Sequence, residues 1–187
     1  APYVMPRNRL EGLISGNILV KDPTGDMNIK SDDLQTEFLR LDNDSLGQVK
    51  ASLEYDKLSK TLRFKGNTLN EINSLIFDGL VFVGDKEKAK DNEIHIKAKE
   101  FQLSVLQRFL GTLFTDIRGY LTGNVDLEGP FNHLTVTGKG RLKDAGLKVI
   151  FTQCTYDLLD TDIELKPTEI NLDGIMLRDK VTGNPVY

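Results

Sequence analysis

The densest group of side chains able to do acid–base work is a run of carboxylates, Asp157, Asp160, Asp162 and Glu164. Two carboxyl groups flanking a glycosidic bond can act as acid and as base or nucleophile. The spacing argues for another use. Asp160, Asp162 and Glu164 alternate with Thr161, Ile163 and Leu165, so in a strand they point away from the apolar side and toward water. Glycosidases also grip sugar rings on aromatic platforms, and the chain has no Trp. A solvated acidic strand face is expected here.

Other chemistries fail on spacing as well. Asp42-Asn43-Asp44-Ser45-Leu46-Gly47 opens like a calcium loop, but Leu46 holds the fifth position and Leu53 the twelfth, where a bidentate Glu is required. A solvated turn is expected instead. Gly138-Lys139-Gly140 lacks the first glycine and the Ser or Thr of a phosphate loop, and it sits inside an alternating run. The only histidines, His95 and His133, fall on polar strand faces and fit neither a zinc spacing nor a Ser-His-Asp arrangement. The single Cys154 has no internal disulfide partner and is expected as a small buried apolar residue. No catalytic residue, metal ligand or cofactor is expected, and the chain reads as a non-enzyme.

The elements that position these groups are strands. Leu121, Gly123, Val125 and Leu127 share one face and Tyr120, Thr122, Asn124 and Asp126 the other; the alternation resumes at Leu134, Val136, Gly138, Gly140 and Leu142. Further runs are Val49/Ala51/Leu53/Tyr55, Leu62/Phe64, Ile94/Ile96/Ala98, Leu147/Val149/Phe151, Ile163/Leu165 and Ile175/Leu177. Turns are expected at Asp56-Lys57, Gly66-Asn67, Asp144-Ala145-Gly146, Lys166-Pro167 and Asp173-Gly174. One segment has helical spacing: Val105, Leu106, Phe109 and Leu110 after Ser104 predict a short helix over 104–110, N-capped by Ser104 and covering one end of the sheet. Residues 70–92 fit no pattern.

A weak internal repeat runs through the chain. Gly12, Gly16 and Asn17 match Gly119, Gly123 and Asn124 at one constant offset, and Met27-Asn28-Ile29 falls on Leu134-Thr135-Val136 at the same offset. The expected organisation is one β-rich repeat segment over 1–187, with sub-units of roughly 9–100 and 101–187. Gly183-Asn184-Pro185-Val186-Tyr187 looks like the start of a further unit, so a piece of a longer protein is expected, with targeting signals outside it.

Composition fits an open form. Of 187 residues 39% are hydrophobic, 7% aromatic and 28% charged, which is lean for a thick core. The net charge of −4 is spread along the chain, giving no basic face for nucleic acid. No run of about 18 apolar residues is present to make a membrane-spanning helix.

Gly119-Tyr-Leu-Thr-Gly-Asn-Val-Asp-Leu-Glu-Gly129, the stretch from Leu134 to Val149, Thr155 to Leu165, and Leu177 to Asn184 together resemble the TamB-like translocation and assembly module proteins of the AsmA-like group, in their Bacteroidetes-type form. The resemblance covers about residues 93–187 well and 9–70 only through the Gly-x-x-x-Gly-Asn repeat. It implies an inner-membrane-anchored, periplasm-spanning protein of a Gram-negative bacterium that serves outer-membrane biogenesis. Its strands would form an apolar trough. Two roles are implied: moving phospholipid between the membranes, or assisting assembly and secretion of outer-membrane β-barrel proteins, autotransporters among them, with an Omp85-class partner.

The expected fold is thus all-β, a curved antiparallel sheet folded into an open trough with one short helix. Ile14, Ile18, Val20, Val49, Leu53, Leu121, Val125, Leu127, Leu134, Val136, Leu142, Leu147, Val149 and Phe151 are the expected apolar lining, for a phospholipid or other acyl-chain ligand. A lone sheet must bury its apolar face by folding on itself, by self-associating or by holding a greasy ligand. Gly123, Gly138 and Gly140 lie on that face, where a strand glycine either lets the sheet bend and a neighbouring backbone approach, or leaves room for the ligand.

Overall fold

The computed structural model describes residues 10–41, 44–69, 73–84, 87–107, 111–131, 133–167, 169–171, 177–179 and 185–186. Strand predominates among the described residues, and the sheet is antiparallel and not closed into a barrel. The all-β expectation holds. The chain divides into two compact units, one of residues 1–94 with 128–133, the other of 95–127 with 134–187.

The first unit contains β1 (Leu10–Ser15), β2 (Leu19–Lys21), β3 (Asn28–Leu41), β4 (Asp44–Gly47), β5 (Val49–Asp56), β6 (Thr61–Thr68) and β7 (Ser74–Phe82). They are hydrogen-bonded in the order β1-β3-β5-β6-β7, and β2 and β4 also pair with β3. The turn expected at Asp56-Lys57 follows the end of β5. Gly66-Asn67, in contrast, lies within β6, and Asp44–Gly47 is a strand where a solvated turn is expected. Within 70–92 the described residues have order that their sequence hides. Ser74–Phe82 forms β7, and Lys88–Asp91 forms a 3₁₀ turn. Asn92, which follows, is 1% exposed. Its Nδ2 donates to the Gly129 carbonyl (3.2 Å), its own carbonyl accepts from the Gly129 N–H (3.0 Å), and its Oδ1 accepts from the Phe82 N–H (2.8 Å).

The second unit takes most of β8 (Glu93–Gln102), then β9 (Phe114–Glu128), β10 (Thr135–Val149), β11 (Thr155–Leu158), β12 (Thr161–Lys166), β13 (Glu169–Asn171), β14 (Leu177–Asp179) and β15 (Pro185–Val186). The order is β8-β9-β10-β11-β14-β15, with β12 on β10 and β13 on β12. Asp144-Ala145-Gly146 is not a turn: β10 passes straight through it. Asp144 takes φ 50°, a left-handed conformation that Asp tolerates, and the buried position moves from Leu142 to Ala145 across it. The residue types of a turn here make a bulge.

Where a helix is expected over 104–110, Leu103–Leu106 is a 3₁₀ turn, Gln107 is α-helical and 108–110, Phe109 and Leu110 among them, lie outside the described residues. Gln102, not Ser104, sits at the N-cap of the turn, without a side-chain cap hydrogen bond; Asp42-Asn43, Asp173-Gly174 and Ile175 also lie outside the described residues. The turn still buries its apolar side chains. Leu103, Ile117, Leu121, Leu142 and Ala145 form a small packed core, with Leu106, Phe114, Leu147, Leu158 and Ile163 against it.

The internal repeat extends further in the fold than in the sequence. A shift of 107 residues takes β3, Asn28–Leu41, onto 135–148, and β10 is Thr135–Val149. The same shift takes β1 and β2 onto β9. In both hairpins the asparagine of the Gly-Asn step meets the residue 14 positions on: the Ser31 hydroxyl donates to the Asn17 carbonyl (2.6 Å), and a Cβ on Gly138 would lie 2.3 Å from the Asn124 carbonyl oxygen.

Candidate functional site: a one-sided apolar face

In the first unit the register collects apolar side chains from four strands onto one face. Residues directly opposite on antiparallel strands share a face. Ile29 opposes Tyr55, Ser31 opposes Leu53 and Leu34 opposes Ala51; across β5 and β6, Tyr55 opposes Leu62, Leu53 opposes Phe64 and Ala51 opposes Gly66; then Leu62 opposes Val81, Phe64 opposes Gly79 and Gly66 opposes Phe77. On the other face Lys30, Glu54 and Arg63 run in a row that ends on Leu80, and Ser52, Lys65 and Asp78 run in the next. On the apolar face Val49 and Val81 are buried, whereas Ile29, Leu34, Leu53, Leu62, Phe64 and Phe77 are only half-buried.

Glycine and phenylalanine alternate across β6 and β7. A Cβ on Gly79 would come within 2.7 Å of the Phe64 ring, and one on Gly66 within 2.6 Å of the Phe77 ring. Each ring therefore covers the bare backbone opposite it, as aromatics do for strand glycines in designed sheets.

The second unit treats its face differently. Leu121, Leu142 and Leu147 belong to the packed core or lie against it, while Val125, Leu127, Leu134, Val136 and Val149 are half-buried. Gly123, Gly138 and Gly140 leave no room for a ligand. A Cβ on Gly123 would sit 2.3 Å from the Lys139 carbonyl oxygen and one on Gly140 2.7 Å from Leu121 Cδ1, so the neighbouring strand fills the space and the close-approach reading of these glycines applies.

The remaining expected lining residues are exposed. Ile14 is 64% exposed, Ile18 63% and Val20 46%, and Phe151 stands 95% exposed in the turn after β10. Val20 opposes Ile29 and Ile14 opposes Thr36, which places both on the rim of the apolar face; Ile18 and Phe151 belong to connections. Ile29, Leu34, Leu62, Phe64, Phe77 and Val81 complete the face and are absent from the expected lining. Of these, Leu62 and Phe64 alternate legibly in the sequence.

A depression of about 940 Å³ in the first unit is lined by Asp32, Lys50, Ser52, Lys65, Asn67 and Asp78 and also by Leu34, Ala51, Gly66, Ile76 and Phe77. One of about 520 Å³ in the second unit is lined by Thr122, Lys139, Arg141, Asp162 and Glu164. Both are open depressions and not closed tunnels.

The acidic run lies where its spacing places it. Glu164 pairs with Lys139 (3.1 Å) and Asp162 with Arg141 (3.3 Å), each directly across β10 and β12. The Lys139 ammonium, first by its hydrogen bond and then by its charge, holds the Glu164 carboxyl below the usual range. Asp157 is bound by Arg118. His95 Nδ1 lies 2.7 Å from Asp126 Oδ1 on an exposed face, and Cys154 is half-buried, not buried. Among the described residues no three His, Cys, Asp or Glu side chains are grouped to hold a metal ion, and no helix is long and apolar enough to cross a membrane.

Comparison of the chain with protein-family models, with curated proteins and with solved structures finds no match.

Proposed function

We propose that this chain is a non-catalytic lipid-handling segment, in which acyl chains of phospholipid lie along the open apolar face of the first unit. The observation that carries this reading is the four-strand register that places Ile29, Leu34, Leu53, Leu62, Phe64 and Phe77 on one side, half-exposed, with charged rows on the other. Work at such a face is solvation. Each methylene moved from water onto it gains up to about 0.8 kcal/mol, so a few segments of chain suffice to hold a lipid while the open side leaves it free to slide. The resemblance of the sequence to TamB-like proteins supports the same reading and sets it in the periplasm, in transport between the inner and outer membranes.

A second reading, a scaffold that helps outer-membrane β-barrel proteins assemble with an Omp85-class partner by strand addition, is favoured by one observation. Leu13, Ile14, Leu19 and Val20 on the outermost strands of the first unit are all exposed. Native mass spectrometry of the purified chain, with extraction and identification of bound lipid, separates the two. Co-purified phospholipid supports the first; a lipid-free chain that takes up no added phospholipid removes it.

A further inference from the structure

The outer edge of β1 and β2 is built as an interior strand of a sheet. Among the described residues both strands pair with β3 alone. Natural edges are protected by charge, by proline or by a covering segment; here the charges, Glu11 of β1 and Lys21 of β2, stand at the two ends, and between Gly12 and Val20 there is neither a charged residue nor a proline. Both faces of this edge are apolar. Ile14 and Val20 point to the apolar side of the sheet, opposite Thr36 and Ile29, while Leu13 and Leu19 point to the other, opposite Phe38 and Lys30. Their exposures are 64%, 46%, 53% and 53%.

The second copy of the repeat shows what lies along the corresponding edge. The shift of 107 residues that carries β3 onto β10 carries β1 and β2 onto β9, and β9 has a second partner on its outer side, β8. That pair runs antiparallel: His95 lies beside Asp126, and Glu100, further along β8, lies beside Thr122, further back on β9. Along β8, Ile94, Ile96 and Ala98 are half-buried or buried and His95, Lys97 and Lys99 are exposed. The geometry points to a strand-acceptor edge along β1 and β2 that receives an antiparallel strand patterned like β8, apolar toward Ile14 and Val20 and charged on the opposite face. Transferred through the repeat, the position equivalent to His95 lies beside Leu19 and that equivalent to Glu100 beside Ser15. This inference is independent of whether the apolar face holds lipid.

The test uses the whole purified chain and a synthetic peptide of residues 93–102, with amide hydrogen exchange resolved by residue. Saturating peptide is expected to slow exchange of backbone amides between Leu13 and Val20 by about tenfold or more. A peptide of the same composition with its alternation scrambled should leave them unchanged. The double variant Leu13→Lys/Leu19→Lys, at two exposed positions, should keep the strand content and lose the protection. Failure of the ordered peptide to protect these amides, or equal protection by the scrambled one, overturns the assignment. Protection that grows with protein concentration and is indifferent to peptide overturns the choice of partner in favour of pairing between two copies.

Discussion

Phe64 and Phe77 cross on adjacent strands with ring centroids 6.4 Å apart and planes inclined by 46°, each ring lying over the glycine opposite it. This diagonal contact closes the middle of the apolar face in the first unit, where Gly66 and Gly79 would otherwise expose backbone. It also fixes the register of β6 on β7, because a slip of one residue would send the two rings to opposite faces.

Gly79→Val should therefore destabilise the chain by about 1–3 kcal/mol. The new side chain would meet both the Phe64 ring and the Glu93 carbonyl oxygen, at 2.7 and 2.8 Å from its Cβ, and the backbone contact cannot move aside. Urea denaturation of the two proteins measures the difference. Equal midpoints would show that the sheet opens there without cost.

Asn92→Leu should be costly for a different reason. Removing the side-chain amide orphans the Phe82 N–H and leaves the Gly129 carbonyl without the Nδ2 donor, at about 1–3 kcal/mol for each buried polar group left unpaired. Thermal unfolding and exchange of the Phe82 amide report it. Loss of protection at Phe82, with β10 unaffected, is the expected pattern.

Asp33 couples the first hairpin to pH. Its carboxylate accepts from the Asn17 N–H (2.9 Å) and from Asn17 Nδ2 (2.7 Å). The backbone hydrogen bond first and the side-chain one second hold its pKa below the ordinary value. A depressed folded-state pKa stabilises above the unfolded value, about 3.9, and that contribution is lost as pH falls through the folded one. Asn17→Ala should raise the Asp33 pKa toward its ordinary value and shift the loss of amide protection in this hairpin to higher pH. Carboxyl carbon NMR titration checks the pKa directly; an unmoved value would show that the Asn17 side-chain amide adds nothing to the backbone hydrogen bond.

The limits of the sequence reading have physical causes. Val49, Ala51, Leu53 and Tyr55 alternate cleanly because one side of β5 faces charge and solvent, so that strand is legible by eye. β7 is not, since Leu75, Ile76, Phe77, Leu80, Val81 and Phe82 are apolar in both phases and only the pairing with β6 decides which point to the shared face. Gly66 and Asp144 carry turn chemistry without making turns: Gly66 is matched to a ring 11 positions away, and Asp144 takes up a bulge inside β10. Local composition contains neither partner. The repeat was legible at its Gly-Asn steps, where a close backbone approach restricts the residue, and illegible along β3 and β10, where many alternating sequences serve equally well.

The claim that the apolar face handles acyl chains is tested most directly by a matched pair of neighbouring substitutions, Leu53→Glu and Ser52→Glu. Leu53 lies on the apolar face beside Phe64, and Ser52 on the charged face beside Lys65. A carboxylate among acyl chains must be desolvated or must admit water, whereas one beside Lys65 costs little. Binding is measured with a phospholipid carrying a fluorescent acyl chain, after circular dichroism has shown that both variants retain the strand content of the parent. Leu53→Glu should weaken binding by about tenfold or more, and Ser52→Glu should match the parent. Two folded variants that bind the lipid equally well would contradict the account.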